Sequence, residues 1–253
     1  MFLHAIVRKP CRNFVRGITS ANLGPPDYEK ALRQHNAYID VLRSCGLDVV
    51  VLEPDERYPD STFVEDMAVV TDKLAVITSP GAPTRKGEES SIAEALRSFF
   101  NGLEHIRPPG TLEGGDVLQA GNHFYTGISQ RTNREGADQL ARILENYGYS
   151  ASSVPLRNVL HLKTGLAYLG NRILLAAGEF IKNPIFRDYE MIPISESESY
   201  AANSLWLNGQ VVVPVGFART RRAIENLGLP VRDVDVSEFR KLDGGLSCLS
   251  LRF

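Results

Sequence analysis

Residues 113–156, EGGDVLQAGNHFYTGISQRTNREGADQLARILENYGYSASSVPL, decide the fold. Val117 to Ala120 and His123 to Thr126 are short apolar strands around a Gly121-Asn122 turn, which predicts a hairpin. Thr132 with Glu135 three residues on predicts a capping box. Ala137, Leu140, Leu144 and Tyr147 then recur at helical spacing until Gly148 stops the run. Ser150 to Leu156 reads as a third strand. The unit is therefore strand, tight turn, strand, amphipathic helix, strand.

The same unit recurs on both sides. Upstream, Met67 to Thr71 and Lys73 to Thr78 flank a Thr71-Asp72 turn. Ile92, Ala95, Leu96, Phe99 and Phe100 follow on one helix face, then a short strand from Leu103 to Ile106. Downstream, a hairpin turns at Gly170-Asn171 with only a stunted helical segment after Pro184. Another turns at Asn208-Gly209, the strongest hairpin signal in the chain, followed by a helix carrying Ile224 and Leu227 and a strand from Val231 to Val236. The ends complete the set. Leu3 to Val7, a helix through Tyr28, Ala31, Leu32, Ile39 and Leu42, and Leu47 to Leu52 lack a first hairpin strand, which Cys248 to Phe253 supplies. The pattern predicts an α/β fold of five ββαβ units with pseudo-fivefold symmetry, closed by pairing of the N- and C-terminal strands. The plain alternative is an α+β domain whose hairpins recur by chance. No linker or shift in composition interrupts residues 1–253, so one domain is expected.

Composition narrows the class of function. Lys and Arg number 28 against 30 Asp and Glu, with no long run of either sign, which argues against a nucleic-acid surface. No apolar run approaches the roughly 18 residues of a membrane span. The opening MFLHAIVRKP places its positive charge after the apolar stretch, the reverse of a secretory signal. A cytoplasmic location follows as the expectation. Cys11, Cys45 and Cys248 are too few and scattered for a disulfide framework, and neither they nor His4, His35, His105 and His123 show metal-ligand spacing. No cofactor and no metal is expected. His35 falls on the apolar face of the first helix and Trp206 on a strand, both read as core residues.

Laying the units over one another exposes chemistry. Before the first strand of successive hairpins stand Glu65-Asp66, Glu113-Gly114-Gly115-Asp116, His161 through Thr164, and Ser247-Cys248. Taken singly, Cys248 could be a small buried hydrophobe and His161 a satisfied core histidine. Matched positions in a repeat instead gather a thiol, an imidazole and several carboxylates, the ingredients of an activated sulfur nucleophile. Arg85, Arg131 and Arg219 recur just before their helices. Two such guanidiniums beside a carboxylate-rich centre would hold a small ligand with a carboxylate at one end and a cation at the other.

With these residues in view, the chain resembles, over essentially its whole length, bacterial dimethylarginine dimethylaminohydrolases of the guanidine-modifying (pentein) superfamily. The matching segments are Phe63 to Asp66, Glu113 to Asp116, His161 to Tyr168, Glu198 to Asn203, and Asp243 to Phe253. Arginine deiminases and amidinotransferases share the carboxylate, histidine and cysteine motifs; the short chain and the wording of the last two segments favour the dimethylarginine enzymes. The resemblance implies a five-bladed α/β propeller and a hydrolase of C–N bonds in linear amidines. It implies that Cys248 is the nucleophile, His161 the general acid and then base, and Glu113 its orienting carboxylate. Glu65 and Asp66 belong to the substrate-binding set, with Asp66 gripping the guanidinium nitrogens. Arg85 and Arg131 bind the α-carboxylate, Asp60 and the backbone of Ile18 hold the α-amino group, and Leu242 lines the mouth. Gly17 to Gly24 correspond to the family's lid, with Ile18 in place of a commoner leucine.

The implied reaction converts asymmetric dimethylarginine, and monomethylarginine, to citrulline and an alkylamine through a thiouronium on Cys248. Thiolate attack removes guanidinium delocalisation, so fixed carboxylates must hold the nitrogens as the carbon becomes tetrahedral. The leaving amine is a strong base and needs a proton as it departs. Negative charge near Cys248 opposes thiolate formation, so the thiolate is expected mainly in the complex with the cationic substrate. Rival readings are an arginine or agmatine deiminase releasing ammonia and a non-catalytic binding propeller. A small-molecule substrate is the expected partner, and a homodimer stays open.

Overall fold

A computed structural model describes residues 1–253. In chain order, β1 (His4–Arg8), α1 (Tyr28–Ser44) and β2 (Asp48–Leu52) come first, then β3 (Ala68–Val70), β4 (Ala75–Ile77), α2 (Glu89–Leu96) and β5 (Glu104–His105). Next are β6 (Val117–Ala120), β7 (His123–Ile128), α3 (Arg134–Asn146), β8 (Ser150–Pro155), and β9 (Leu166–Tyr168), β10 (Ile173–Ala177), β11 (Glu190–Ile194). The chain ends with β12 (Leu205–Leu207), β13 (Gln210–Pro214), α4 (Ala218–Glu225), β14 (Val231–Val234), α5 (Ser237–Arg240) and β15 (Leu251–Arg252).

These strands form five sheets of three strands, each built one way. The middle strand pairs antiparallel with its hairpin partner and parallel with the strand that returns after the helix. In the terminal sheet β1 pairs antiparallel with β15, Ala5 opposite Arg252, and parallel with β2. The repeat and its closure by the chain ends are as expected from the sequence. The fourth copy lacks an α-helix; 3-10 turns at Gly178–Phe180 and Pro184–Phe186 replace it.

The chain divides into two compact units, residues 65–203 and residues 1–64 with 204–253. In the first, α3 drives Leu140 and Leu144 into a cluster with Val76, Val117 and Phe124. A second cluster gathers Leu118, Val154, Leu166, Leu174 and Phe180. In the other unit, the rings of Phe14, Phe63 and Phe239 meet at 5.3–6.3 Å between centroids. Tyr38 of α1 is wholly buried there, donating to Leu246 O at 2.9 Å and lying 2.6 Å from Ser250 Oγ. Asn208, at the tight turn with φ 50°, accepts from Phe2 N and donates to Phe2 O, tying down the N-terminal segment.

Several local readings change. Thr132 does not cap α3: the cap is Asn133, whose side chain accepts from Gly136 N. Thr132's hydroxyl accepts instead from Glu113 N at 3.1 Å. The last strand starts at Leu251, and Cys248 sits on a 3-10 turn, Ser247–Leu249, ahead of it. Helix α2 stops at Leu96, whose carbonyl takes both Phe99 N and Phe100 N, so those phenylalanines leave the helix face. Tyr147 and Leu227 lie past their helix ends and are over a third exposed. Trp206 is half-buried on β12 against the edge of Phe2. Arg219 lies inside α4 rather than before it.

Candidate active site

Each hairpin's first strand is preceded by a 3-10 turn: Val64–Met67, Gly114–Asp116, Leu162–Thr164, Glu196–Ala202 and Ser247–Leu249. Glu65 and Asp66 lie on the first, Glu113 immediately before the second, His161 immediately before the third, and Cys248 on the fifth. These turns are short because i→i+3 bonding stops as the strand ladder takes over, and they leave side chains at the mouth of each hairpin. The matched positions read in sequence are matched in structure.

Within residues 65–203 the structure brings Asp66, Arg85, Glu113, Arg131 and His161 together. His161 Nε2 lies 2.8 Å from Glu113 Oε2, with both side chains buried. Glu113 Oε1 accepts from Ala82 N at 3.1 Å and lies 3.6 Å from Arg131 Nη1. Asp66 Oδ1 accepts from Gly115 N at 2.9 Å, and its Oδ2 pairs with Arg85 Nη1 at 2.5 Å. A Cβ on Gly115 would stand 2.7 Å from His161 Nδ1 and 2.9 Å from Asp66 Oδ1. Residue 115 must therefore be glycine for backbone, imidazole and carboxylate to close on one another.

Electrostatics follow from this packing. Burial by itself would lower the His161 imidazole, but Asp66, the Glu113 hydrogen bond and Asp116 outweigh it and lift it to about 9. Burial would raise Glu113, yet its hydrogen bond and ion pair with His161, with Arg85 and Arg131 beyond, hold it well below the usual carboxylate range. The pair is an imidazolium and a carboxylate at neutral pH. Burial would likewise lower Arg85, but Glu88 and Asp66 reverse that and keep it charged.

Arg85 donates from Nε and Nη2 to Glu88, a buried carboxylate to which the sequence reading assigned no role. Its side chain is 5% exposed against 18% for Arg131, which makes Arg131 the more accessible guanidinium. Glu65 Oε1 accepts from Lys163 Nζ at 2.7 Å, a second partner the motif reading left without a role. Glu88 stands three residues after Arg85, and that i,i+3 spacing was the available signal.

In the other unit, Ile18 N donates to both Asp60 carboxylate oxygens, at 3.0 and 3.3 Å. A Cβ on Gly17 would lie 2.7 Å from Asp60 Oδ1 and 3.0 Å from Leu242 Cδ1, so Ile18, Asp60 and Leu242 are neighbours. The segment after Gly17 is fastened by Thr19 Oγ1 to Lys241 O and by Ser20 N and Oγ to Asp243 Oδ2. Gly245 N donates toward Cys248 Sγ at 3.4 Å.

Asp66, Glu113 and His161 each offer one ligand atom, all within 4.8 Å of one another. Asp66 already accepts from Arg85 and Gly115 N, and Glu113 from Ala82 N while pairing with His161. No helix is long and apolar enough to cross a membrane.

The sequence profile of the family "N,N dimethylarginine dimethylhydrolase, eukaryotic" matches residues 26–229. The N(G),N(G)-dimethylarginine dimethylaminohydrolase of Pseudomonas aeruginosa is 55% identical over 254 residues, the whole of both chains. A crystal structure of the Pseudomonas aeruginosa enzyme, a cysteine-to-serine mutant complexed with citrulline, superposes with a TM-score of 0.98 at 54% identity over all of both chains. A histidine-to-glycine variant of a dimethylarginine dimethylaminohydrolase, solved as an adduct with S-methyl-L-thiocitrulline, matches equally well, with a TM-score of 0.98 at 54% identity over all of both chains. Full-length identity at this level, with the repeat and the carboxylate–histidine cluster in place, leaves one conclusion: the chain belongs to the dimethylarginine dimethylaminohydrolase family.

Proposed function

We propose that this protein hydrolyses asymmetric dimethyl-L-arginine, and monomethylarginine, to citrulline and dimethylamine or methylamine, with residues 1–253 acting as one catalytic domain. The observation that carries the reading is the buried His161–Glu113 pair, whose imidazolium persists to about pH 9. A dialkylamine leaving a guanidinium carbon is a strong base, and an acid that holds its proton through neutral pH is matched to it.

In this reading the Cys248 sulfur attacks the guanidinium carbon, and Asp66 and Glu113 hold the nitrogens as charge localises. His161 gives its proton to the departing amine, leaving a thiouronium on Cys248 and a neutral imidazole. That imidazole then takes a proton from water, hydroxide adds to the thiouronium carbon, and the C–S bond breaks to release citrulline. Arg131, with Arg85 beside it, holds the α-carboxylate. Asp60 and the Ile18 backbone hold the α-amino group, Leu242 lines the mouth, and Glu65 supports the site through Lys163. Relatives solved as a cysteine-to-serine mutant with citrulline and as a histidine-to-glycine adduct with S-methyl-L-thiocitrulline support a sulfur and an imidazole in the chemistry. The protein acts on a small molecule in the cytoplasm, without a metal or cofactor.

Incubation with asymmetric dimethylarginine should release citrulline and dimethylamine in equal amounts, and Cys248→Ser should abolish turnover. Ammonia from arginine with no amine from dimethylarginine would assign the protein to the deiminases. Unchanged activity in Cys248→Ser would remove the sulfur from the reaction.

A further inference from the structure

We propose that Asp116 is a positioning residue of this site, one buried carboxylate that holds Glu113, Arg131 and His161 in register. The proposal rests on the roles given above to those three residues. Asp116 is 0% exposed. Its Oδ1 accepts from Leu162 N at 3.0 Å, the amide immediately after His161. Its Oδ2 accepts from Ser129 Oγ at 2.6 Å. Ser129 Oγ in turn accepts from Arg131 N at 2.9 Å and Thr132 N at 3.1 Å. The Thr132 hydroxyl accepts from Glu113 N at 3.1 Å, so Glu113 is tied to the same loop. The stretch beside His161 and the Ser129–Thr132 loop thus end on one carboxylate, and Glu113 joins them through Thr132.

The hairpin explains how. Asp116 immediately precedes β6 and Ser129 immediately follows β7, and the register that sets Val117 opposite Thr126 brings those two ends together. Gly127 on β7 leaves the space: a Cβ there would stand 2.9 Å from Asp116 Oδ1 and 3.1 Å from Leu162 Cβ. Burial pushes the Asp116 carboxyl up from its ordinary value, and the facing His161 imidazolium with the donors Ser129 and Leu162 N pulls part of that back. Asp116 faces His161 together with Asp66 from the turn before β3 and Glu113; Arg85 and Arg131 face those carboxylates, and Lys163 is matched by Glu65.

A residue that merely caps a loop and one that sets the geometry and proton affinity of His161 differ in what substitution moves. Asp116→Asn keeps the size but offers one acceptor oxygen where two are used. It should lower kcat roughly tenfold to a hundredfold, the range spanned by losing a hydrogen bond to a charged group. It should also move the His161 ring-proton NMR titration of the free enzyme about one pH unit lower, because one of three facing carboxylates is gone. Ser129→Ala keeps the charge and cuts the tie to the Arg131 loop. It should raise KM severalfold and leave the His161 titration in place.

A wild-type titration and wild-type kcat in Asp116→Asn would overturn the proposal. So would equal losses in both variants with no shift in titration, the outcome of a purely structural role. If Asp116→Asn does not fold, Ser129→Ala and Thr132→Val decide: unchanged KM and kcat in both would overturn the proposal. The titration is read without substrate, so a wild-type protein that turned over no methylated arginine would sink the functional reading and leave this measurement standing.

Discussion

His161 and Glu113 share a hydrogen bond of 2.8 Å although 48 residues separate them. The contact exists because both stand at the mouths of equivalent hairpins. With Asp66 and Asp116 near the ring, the imidazole is surrounded by negative charge in a place water scarcely reaches.

Glu113→Gln removes the nearest negative charge and keeps the side-chain shape. The basic limb of the kcat/KM profile should then move from near pH 9 toward the ordinary imidazole range, with a loss of about a hundredfold or more at neutral pH. A profile measured from pH 6 to 10 reads both. An unmoved basic limb would show that His161 does not owe its proton to Glu113.

His161 also links stability to pH. Its folded value of about 9 lies above the unfolded value of 6.5, so the stabilisation is fully present below pH 6.5 and fades as pH rises through 9. Urea unfolding across pH 6–10 should show this decline, and His161→Gln should flatten it. An equally steep decline in the variant would assign the effect to other groups.

His35 works in the opposite sense. It is buried on α1 with neither ring nitrogen hydrogen-bonded, and burial first, then Lys9, lowers it to about 4. The unfolded chain takes up a proton below pH 6.5 and the folded chain does not until near pH 4. At pH 5 this costs about 2 kcal/mol relative to neutral pH. His35→Leu should be close to neutral in stability at pH 7 and more stable than the parent at pH 5, measured by thermal unfolding at both. Parallel acid losses in the two proteins would contradict it.

Arg85 is placed between Asp66 and Glu88, all three buried. Arg85→Met should destabilise by about 3–5 kcal/mol by leaving two carboxylates uncompensated. Arg85→Met combined with Glu88→Gln should recover part of it. Denaturant titration of both variants tests the coupling, and strict additivity would refute it.

Tyr38→Phe deletes the hydroxyl that grips Leu246 O and Ser250 Oγ on either side of Cys248. A stability loss of about 1 kcal/mol is expected. The rate of thiol alkylation at Cys248 should change with it, since the turn that presents the sulfur is released. A stability loss with an unaltered alkylation rate would confine Tyr38 to the core.

The repeat is legible in the residues alone, because alternation, tight-turn residues and helical spacing are local properties that each unit carries independently. So are the residue types that stand at the hairpin mouths, since matched positions in a repeat can be compared without coordinates. Partners across the chain are chosen only in the folded molecule. Thr132 reads as a helix cap because that chemistry is local, yet the amide of Glu113, 19 residues away, claims its hydroxyl. Cys248 reads as the start of a strand because apolar residues follow it, yet ladder pairing begins only at Leu251, leaving the sulfur on a turn. Glu88 shows only its i,i+3 spacing to Arg85, and Asp116 only its place in the repeat, neither of which names the buried partners. Their weight comes from desolvation: a buried charge must find partners wherever in the chain they lie, and spacing in sequence does not encode that search.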